Sequence, residues 1–321
     1  MILITGAAGF IGSYLTGYYN RRGRADLILV DDFSRPDKAA NYQNKQYQYL
    51  IKREALFDHL KREKPPVSAV LHIGARTDTT ETDVALFDRL NLAYSQKLWI
   101  YCTERQIPLI YASSAATYGG GEHGYSDRHE IVPLLKPLNP YGQSKQDFDL
   151  WVLAQKERPP FWAGLKFFNV YGPNEYHKGR MASVVFHTVN QIRQSGKMKL
   201  FRSHRPDFKD GEQARDFIYV RDVAAMVDFL LKNRPASGLY NIGTGRARTF
   251  RDLVTATFRA MGREPVIEFM DTPADIRDNY QYFTQAEMTK LLRTGYDRPV
   301  TGLEEGIADY VQNYLLTRTI F

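Results

Sequence analysis

The chain has almost no cysteine: Cys102 is the one thiol in 321 residues. A single thiol excludes an intrachain disulfide and any multi-thiolate metal site, and it fits a reducing cytoplasm. No run of 18 apolar residues occurs, so no membrane-spanning helix is expected. Met1 leads directly into an apolar stretch, so no secretory signal is expected. Blocks of one charge sign are missing as well. The net charge is +7, yet basic residues alternate with acids and no nucleic-acid module is recognisable. Nucleic acid is therefore not expected as a partner, and phosphate-bearing ligands explain the basic balance more simply. No set of His, Asp and Glu has metal-ligand spacing, so no metal is expected. Repeats and low-complexity segments are absent too.

What is present is an alternation of apolar strands with helical patterns. Residues 1–5, 27–30, 67–73, 109–112 and 162–168 read as strands. Residues 10–22, about 54–63 and about 83–105 read as helices between them. That order predicts an α/β fold: a Rossmann-like doubly wound parallel sheet covered on both faces. The pattern changes after Tyr171, with a helix near 181–195, a strand at 198–201, a polar loop through Gly211 and a final helix from about Gly302. The expected division is a dinucleotide-binding unit over 1–171, rejoined by about 215–245, and a smaller C-terminal α/β substrate-binding unit over 172–321.

Three local patterns carry chemistry. Gly6, Gly9 and Gly12 form a G-x-x-G-x-x-G run between a strand and a helix, where the backbone can approach a pyrophosphate beside free helix N–H groups. Asp31 and Asp32 close the second strand, where a carboxylate takes the adenosine ribose and favours NAD. Arg35, Lys38 and Arg53 follow and could pair with a 2′-phosphate, so NADP leads and NAD remains possible. Finally, Ser113 and Ser114 end a strand, and Tyr141 and Lys145 lie one helical turn apart. A phenol titrating near ~10 is a poor base at neutral pH. An ammonium about 5 Å away at an effective dielectric of about 20 favours the phenolate by roughly 3 kcal/mol. These groups point to hydride transfer between a nicotinamide and a carbinol carbon. Cys102 reads as a helix-face residue, and His72, inside an apolar strand, as a satisfied core histidine.

Taken together, these residues resemble the extended short-chain dehydrogenase/reductase family, which works on nucleotide sugars. Members that dehydrate carry an Asp-Glu pair after the catalytic serine or threonine; Ala115 and Ala116 stand here, so dehydration is not expected. The stretches Phe167–Pro173, His177–Val184 with His187, Asn241–Ala247 and Tyr280–Ala286 closely resemble that family's group of ADP-heptose 6-epimerases. The resemblance implies transient oxidation at C6 of the heptose, rotation of the carbonyl and return of the same hydride. It implies Tyr141 and Lys178 as the two acid/base groups, with Ser114 and Lys145 assisting. For the cofactor it implies Gly6, Gly9, Phe10, Ile11, Gly12, Asp31, Asp32, Lys38, Arg53, Ile73, Gly74, Ala75, Arg76, Thr77, Asn91, Lys145, Val170 and Lys178. For the ADP-heptose it implies Ser114, Asn169, Arg180, His187, Phe201, Arg202, Ser203, His204, Arg215 and Tyr280. It further implies a cytoplasmic homo-oligomer, often a pentamer. Ile73 departs from the usual glutamate, and Asn91 stands alone where relatives carry a pair. Two other readings stay open: a different nucleotide-sugar epimerase or reductase, and a dinucleotide-binding sensor without catalysis.

Overall fold

The computed structural model describes residues 1–277 and 280–321. The strands are β1 (Ile2–Thr5), β2 (Leu27–Asp31), β3 (Tyr49–Lys52), β4 (Ala69–His72), β5 (Leu109–Ser114), β6 (Trp162–Phe167), β7 (Asn169–Tyr171), β8 (Met198–Phe201), β9 (Ala214–Tyr219), β10 (Gly238–Ile242), β11 (Ala247–Thr249) and β12 (Ile267–Met270). The helices are α1 (Phe10–Asn20), α2 (Ala40–Gln43), α3 (Leu56–Glu63), α4 (Val84–Phe87), α5 (Tyr94–Glu104), α6 (Pro140–Ala154), α7 (Val184–Ser195), α8 (Val220–Asn233), α9 (Phe250–Ala260), α10 (Ala274–Arg277), α11 (Thr289–Arg293) and α12 (Leu303–Tyr310). A wide helical turn, Asp88–Ala93, joins α4 to α5 and makes one continuous helical rod of the region read as a single helix.

Seven parallel strands form the main sheet in the order β10-β6-β5-β4-β1-β2-β3. The alternation of side chains along each strand serves two cores. Ile2 and Ile4 of β1 pack with α1, α8 and α9, whereas Leu3 joins Leu56, Leu60, Leu98, Trp99 and Phe148 on the other face. Both faces are apolar because both are covered by helices, as the sequence pattern predicts. β7, β9 and β11 form a three-stranded sheet, and β8 pairs with β12 in a two-stranded one. The strand order reverses between β1 and β4, so the connections leave their carboxyl ends in opposite directions and open a crevice there.

Side chains close the outer edge of β10. His129 Nε2 accepts the Leu239 N–H at 3.1 Å, Lys290 Nζ donates to the Leu239 carbonyl at 2.7 Å, and Asp127 accepts the Asn241 N–H at 2.8 Å. These three side chains occupy main-chain groups that a further strand would otherwise pair.

Below the ends of β5 and β6 lies a buried ion pair, Lys166 with Asp149 at 2.8 Å, both wholly inaccessible to water. Asp149 also accepts from Tyr111 at 3.0 Å and Ser113 at 2.7 Å, and Lys166 donates to Thr117 at 2.7 Å. Because the other charge would be left uncompensated, Lys166→Met is expected to cost about 3–5 kcal/mol. Urea unfolding checks this; the double variant Lys166→Met with Asp149→Leu should recover part of the loss.

Candidate functional site

A cavity of about 610 Å³ sits where the strand order reverses. Its floor is the turn from β1 into α1. Gly6 has φ +68, and a Cβ there would lie 2.6 Å from Gly74 Cα, at the end of β4. A Cβ on Gly12 would lie 2.1 Å from the Gly6 carbonyl oxygen, so the first turn of α1 packs directly on the loop. Gly9 caps the helix without a side chain, which leaves the first N–H groups of α1 available to an anion. Gly6, Gly9, Phe10, Ile11, Gly12, Asp31, Asp32, Lys38, Arg53, Ile73, Gly74, Ala75, Arg76, Thr77 and Lys178 all line this cavity. Asn91, Lys145 and Val170 do not. Asn91 instead holds the wall: it pairs with the Arg76 backbone at 2.8 and 3.0 Å and donates to Ser144 of α6 at 2.9 Å. Leu86, Leu90, Tyr94 and Met181 also line it; their apolar periodicity marks them only as core residues.

One end of the cavity is rich in charge. Asp31 accepts from the Ala8 N–H at 2.9 Å, the Asp32 N–H at 2.7 Å and Lys38 Nζ at 3.0 Å. Its carboxylate is thus oriented by the glycine turn and neutralised by Lys38. Asp32 binds the Ser34 N–H and hydroxyl, which holds its carboxyl below the usual range. Arg35 and Arg53 also line this end, paired with Asp37 and Glu54 respectively. The cavity, the uncapped helix start and this polar end together fit a dinucleotide.

At the end of β5 the two serines part company. Ser113 faces the core and is held by Asp149, whereas the Ser114 hydroxyl caps the short helical turn Ala115–Tyr118 by accepting the Ala116 N–H at 3.1 Å. Helix α6 begins at Pro140, with Asn139 capping the Gly142 N–H at 2.8 Å, so Tyr141 is fixed in its first turn. The expected help from Lys145 is not found. Burial around the Tyr141 hydroxyl pushes the phenol above its ordinary value, with Ser114 opposing the rise. Lys145 is itself pulled down to about 8 by burial, against the Asp149 carboxylate, and its Nζ donates to the Ala112 carbonyl at 2.7 Å. The low dielectric that strengthens a charge pair also penalises each charge, and here the penalty wins.

Lys178 reaches the cavity from a segment fastened to the glycine turn. Asn41 Nδ2 donates to the Ala8 carbonyl at 3.0 Å and the Asn174 carbonyl at 3.1 Å. Asn174, at φ +80, donates to Ser13 of α1 at 3.0 Å. A short helical turn, Tyr176–Met181, then carries Lys178 to within 5.2 Å of the Phe10 ring centroid. Burial pulls the Lys178 ammonium down, and Glu175 opposes this. Neither Asn41 nor Glu175 carries a sequence signal for this role.

The residues assigned to the sugar nucleotide fall into smaller groups. Arg215 is buried with its guanidinium 5.4 Å from the Tyr280 ring, and Tyr280 meets Phe201 at 6.0 Å. Arg215 donates to the Ala214 and Gln281 carbonyls, and no ion pair reaches it among the described residues. It is a cation ready for an anion. Ser203 and His204 are fixed by Asp210 and Tyr282, and Arg202 extends toward Asp271 at 3.9 Å. His187 contacts the Arg180 carbonyl at 3.2 Å, while Asn169 is exposed on β7. His72 bonds Thr5 at 2.6 Å and Ser95 at 2.8 Å and is held down to about 3 by burial, as a satisfied core histidine should be. Cys102 is a buried free thiol.

The profile of the NAD dependent epimerase/dehydratase family matches residues 2–243. The chain is 48% identical over 325 residues to a Fusobacterium nucleatum protein named ADP-L-glycero-D-manno-heptose-6-epimerase, with 98% of each chain covered. It is 41% identical to an Alkalilimnicola ehrlichii protein of the same name, covering 97% of this chain and 96% of that one. Among solved structures, Helicobacter pylori ADP-L-glycero-D-manno-heptose-6-epimerase superposes with a TM-score of 0.82 at 28% identity, over 97% of this chain and 95% of that one. The UDP-glucose 4-epimerase of Thermus thermophilus in complex with NAD gives 0.76 at 25% identity, over 97% of each.

Because a methyl at position 12 collides with the Gly6 backbone, Gly12→Ala should weaken dinucleotide binding at least about tenfold, a loss of about 1.4 kcal/mol or more. Fluorescence titration measures it. Gly302→Ala, where a Cβ meets nothing within 4 Å, should bind normally.

Proposed function

The chain belongs to the NAD dependent epimerase/dehydratase family and is an epimerase, and from that premise we propose that it interconverts ADP-D-glycero-D-manno-heptose and ADP-L-glycero-D-manno-heptose at C6. The observation that carries the proposal is Lys178: a half-buried lysine brought into the cavity by its own fastened segment, as a second acid/base group requires. The full-length likeness to proteins of that name supports the substrate. The resemblance adds a homo-oligomer working in the cytoplasm on a heptose precursor of lipopolysaccharide core.

Bound in the cavity, a nicotinamide dinucleotide supplies a two-electron acceptor that takes the C6 hydride and gives it back. The chain's part is to move protons and hold the sugar. Tyr141 receives the C6 hydroxyl proton, with Ser114 hydrogen-bonded to the same oxygen. Lys178 delivers a proton to the carbonyl oxygen once the other face has turned toward the dinucleotide, and the reverse direction exchanges the two roles. Arg215 takes the diphosphate, and Phe201 and Tyr280 flank it. Since burial holds Tyr141 above its ordinary value, the phenol rests protonated. Deprotonation is then favoured only when further positive charge enters the site.

The cofactor in this proposal is NADP, supported by Arg35, Lys38 and Arg53 at the polar end of the cavity. The second reading is NAD, favoured by the adjacent carboxylates of Asp31 and Asp32 and by the NAD in the Thermus thermophilus enzyme. Mass measurement of the nucleotide that copurifies decides between them.

Incubation with ADP-D-glycero-D-manno-heptose, followed by chromatographic resolution of the C6 epimers, should show interconversion; a single unchanged epimer would refute the assignment. Tyr141→Phe should lower kcat by about a hundredfold or more, within the usual range for losing an acid/base group, with dinucleotide binding retained. Lys178→Met should do the same while sparing the fold, as judged by circular dichroism.

A further inference from the structure

Phe321 lies outside the cavity and is buried nonetheless. Its ring is seated on α1: the Tyr14 ring stacks on it at 3.9 Å between centroids, and the Arg21 guanidinium lies over it at 3.6 Å. The seat is tight, since a Cβ on Gly17 would lie 2.9 Å from Phe321 Cδ1. The main chain of Phe321 is engaged as well. Its N–H donates to Asn174 Oδ1 at 2.9 Å, and its carbonyl accepts from Lys45 Nζ. Asn174 therefore has its amide nitrogen on Ser13, its carbonyl on Asn41 and its side-chain oxygen on Phe321. A left-handed backbone at a residue with a side chain persists only where its surroundings over-determine it, and these three bonds do so at φ +80.

The two residues after Asn174 are held by the same stretch of chain. Glu175 accepts the Tyr310 hydroxyl at 2.9 Å, besides the Ser183 hydroxyl at 2.5 Å and N–H at 2.6 Å. The Tyr176 hydroxyl donates to the Tyr314 carbonyl at 2.9 Å and reaches the Thr319 carbonyl at 3.3 Å. Residues 310–321 thus hold Asn174, Glu175 and Tyr176 in succession, just before Lys178. Gly179, next after Lys178, brings no side chain to steady the turn from the other side and has φ +51.

We propose that Phe321 is a positioning residue for Lys178: seated on α1, it anchors residues 310–321 as a strap over Asn174, Glu175 and Tyr176, and the strap sets where Lys178 enters the cavity. The inference rests on Lys178 being the second acid/base group. A reacting lysine on a short turn has no long helix or strand to fix it, and a neighbouring rigid element must do so. Proton delivery needs hydrogen-bond reach to one oxygen, so a displacement of about 1 Å is enough to slow it.

In Phe321→Ala the strap loses its seat. Hydrogen exchange read by mass spectrometry should become at least about tenfold faster across residues 174–183, with the β1–α1 turn unchanged. Turnover should follow, with kcat lower by about tenfold to a hundredfold and with KM and dinucleotide binding little altered. Phe321→Leu, which keeps apolar bulk against Tyr14 and Gly17, should restore part of both. A double-mutant cycle separates positioning from general support of the fold. Added to Lys178→Met, Phe321→Ala should slow turnover no further, because the residue it acts through is gone; any further loss would overturn the proposal. Exchange or kcat left unchanged in a folded Phe321→Ala does the same and leaves the epimerase assignment standing. Conversely, a wild type that does not interconvert the epimers refutes that assignment, and exchange alone then decides whether Phe321 holds the Lys178 turn. Should Phe321→Ala fail to fold, Tyr176→Phe is read in its place, since it removes the bonds to the Tyr314 and Thr319 carbonyls and keeps the ring. No change there in either quantity would sink the idea.

Discussion

The site depends on a close approach of backbones. Gly6 lies against Gly74 and Gly12 against the Gly6 carbonyl, at separations that exclude even one methyl group. That contact draws the ends of β1 and β4 and the start of α1 into one surface at the point where the strand order reverses. Everything else in the cavity is referenced to this surface. Asp31 is oriented by the Ala8 N–H, Asn41 by the Ala8 carbonyl, and the Lys178 segment by Asn41 and Asn174. The chain therefore positions a residue late in the sequence through hydrogen bonds to a turn formed at its beginning.

Charge is handled in the same economical way. Asp31 has Lys38, Asp149 has Lys166, and Glu175 has two hydroxyls and a backbone amide. Arg215, buried, has no opposite charge paired with it among the described residues. It lies where the substrate is proposed to bring one. An unmatched buried group is expensive to fold around, and its presence is the usual mark of a site that is completed by a ligand.

Much of this is legible in the sequence, and for physical reasons. The glycine turn, the Asp31 strand end, the run Met198–Phe201 and the one-turn spacing of Tyr141 and Lys145 are local features, fixed by a few neighbouring residues. Strands of three residues, β7 and β11, carry too little periodicity to be read. Sequence spacing misjudges the direction in which the Tyr141 phenol is displaced, because it gives the nearby charge but not the burial, and burial is the larger effect. Asn91 is a cofactor contact by resemblance, whereas in the fold it braces the Arg76 wall against α6. Asn41 is invisible for the same reason: its partners, Ala8 and Asn174, are far away in the chain.

The covered margin of β10 has a consequence for how copies of this protein can meet. With Leu239 and Asn241 already satisfied by His129, Lys290 and Asp127, no neighbouring molecule can extend the sheet there. Growth by edge pairing is confined to the far side, where β3 has only β2 beside it and shows Tyr49 and Leu50 to solvent. A lattice of end-to-end sheets would need both margins open, and this fold leaves it one.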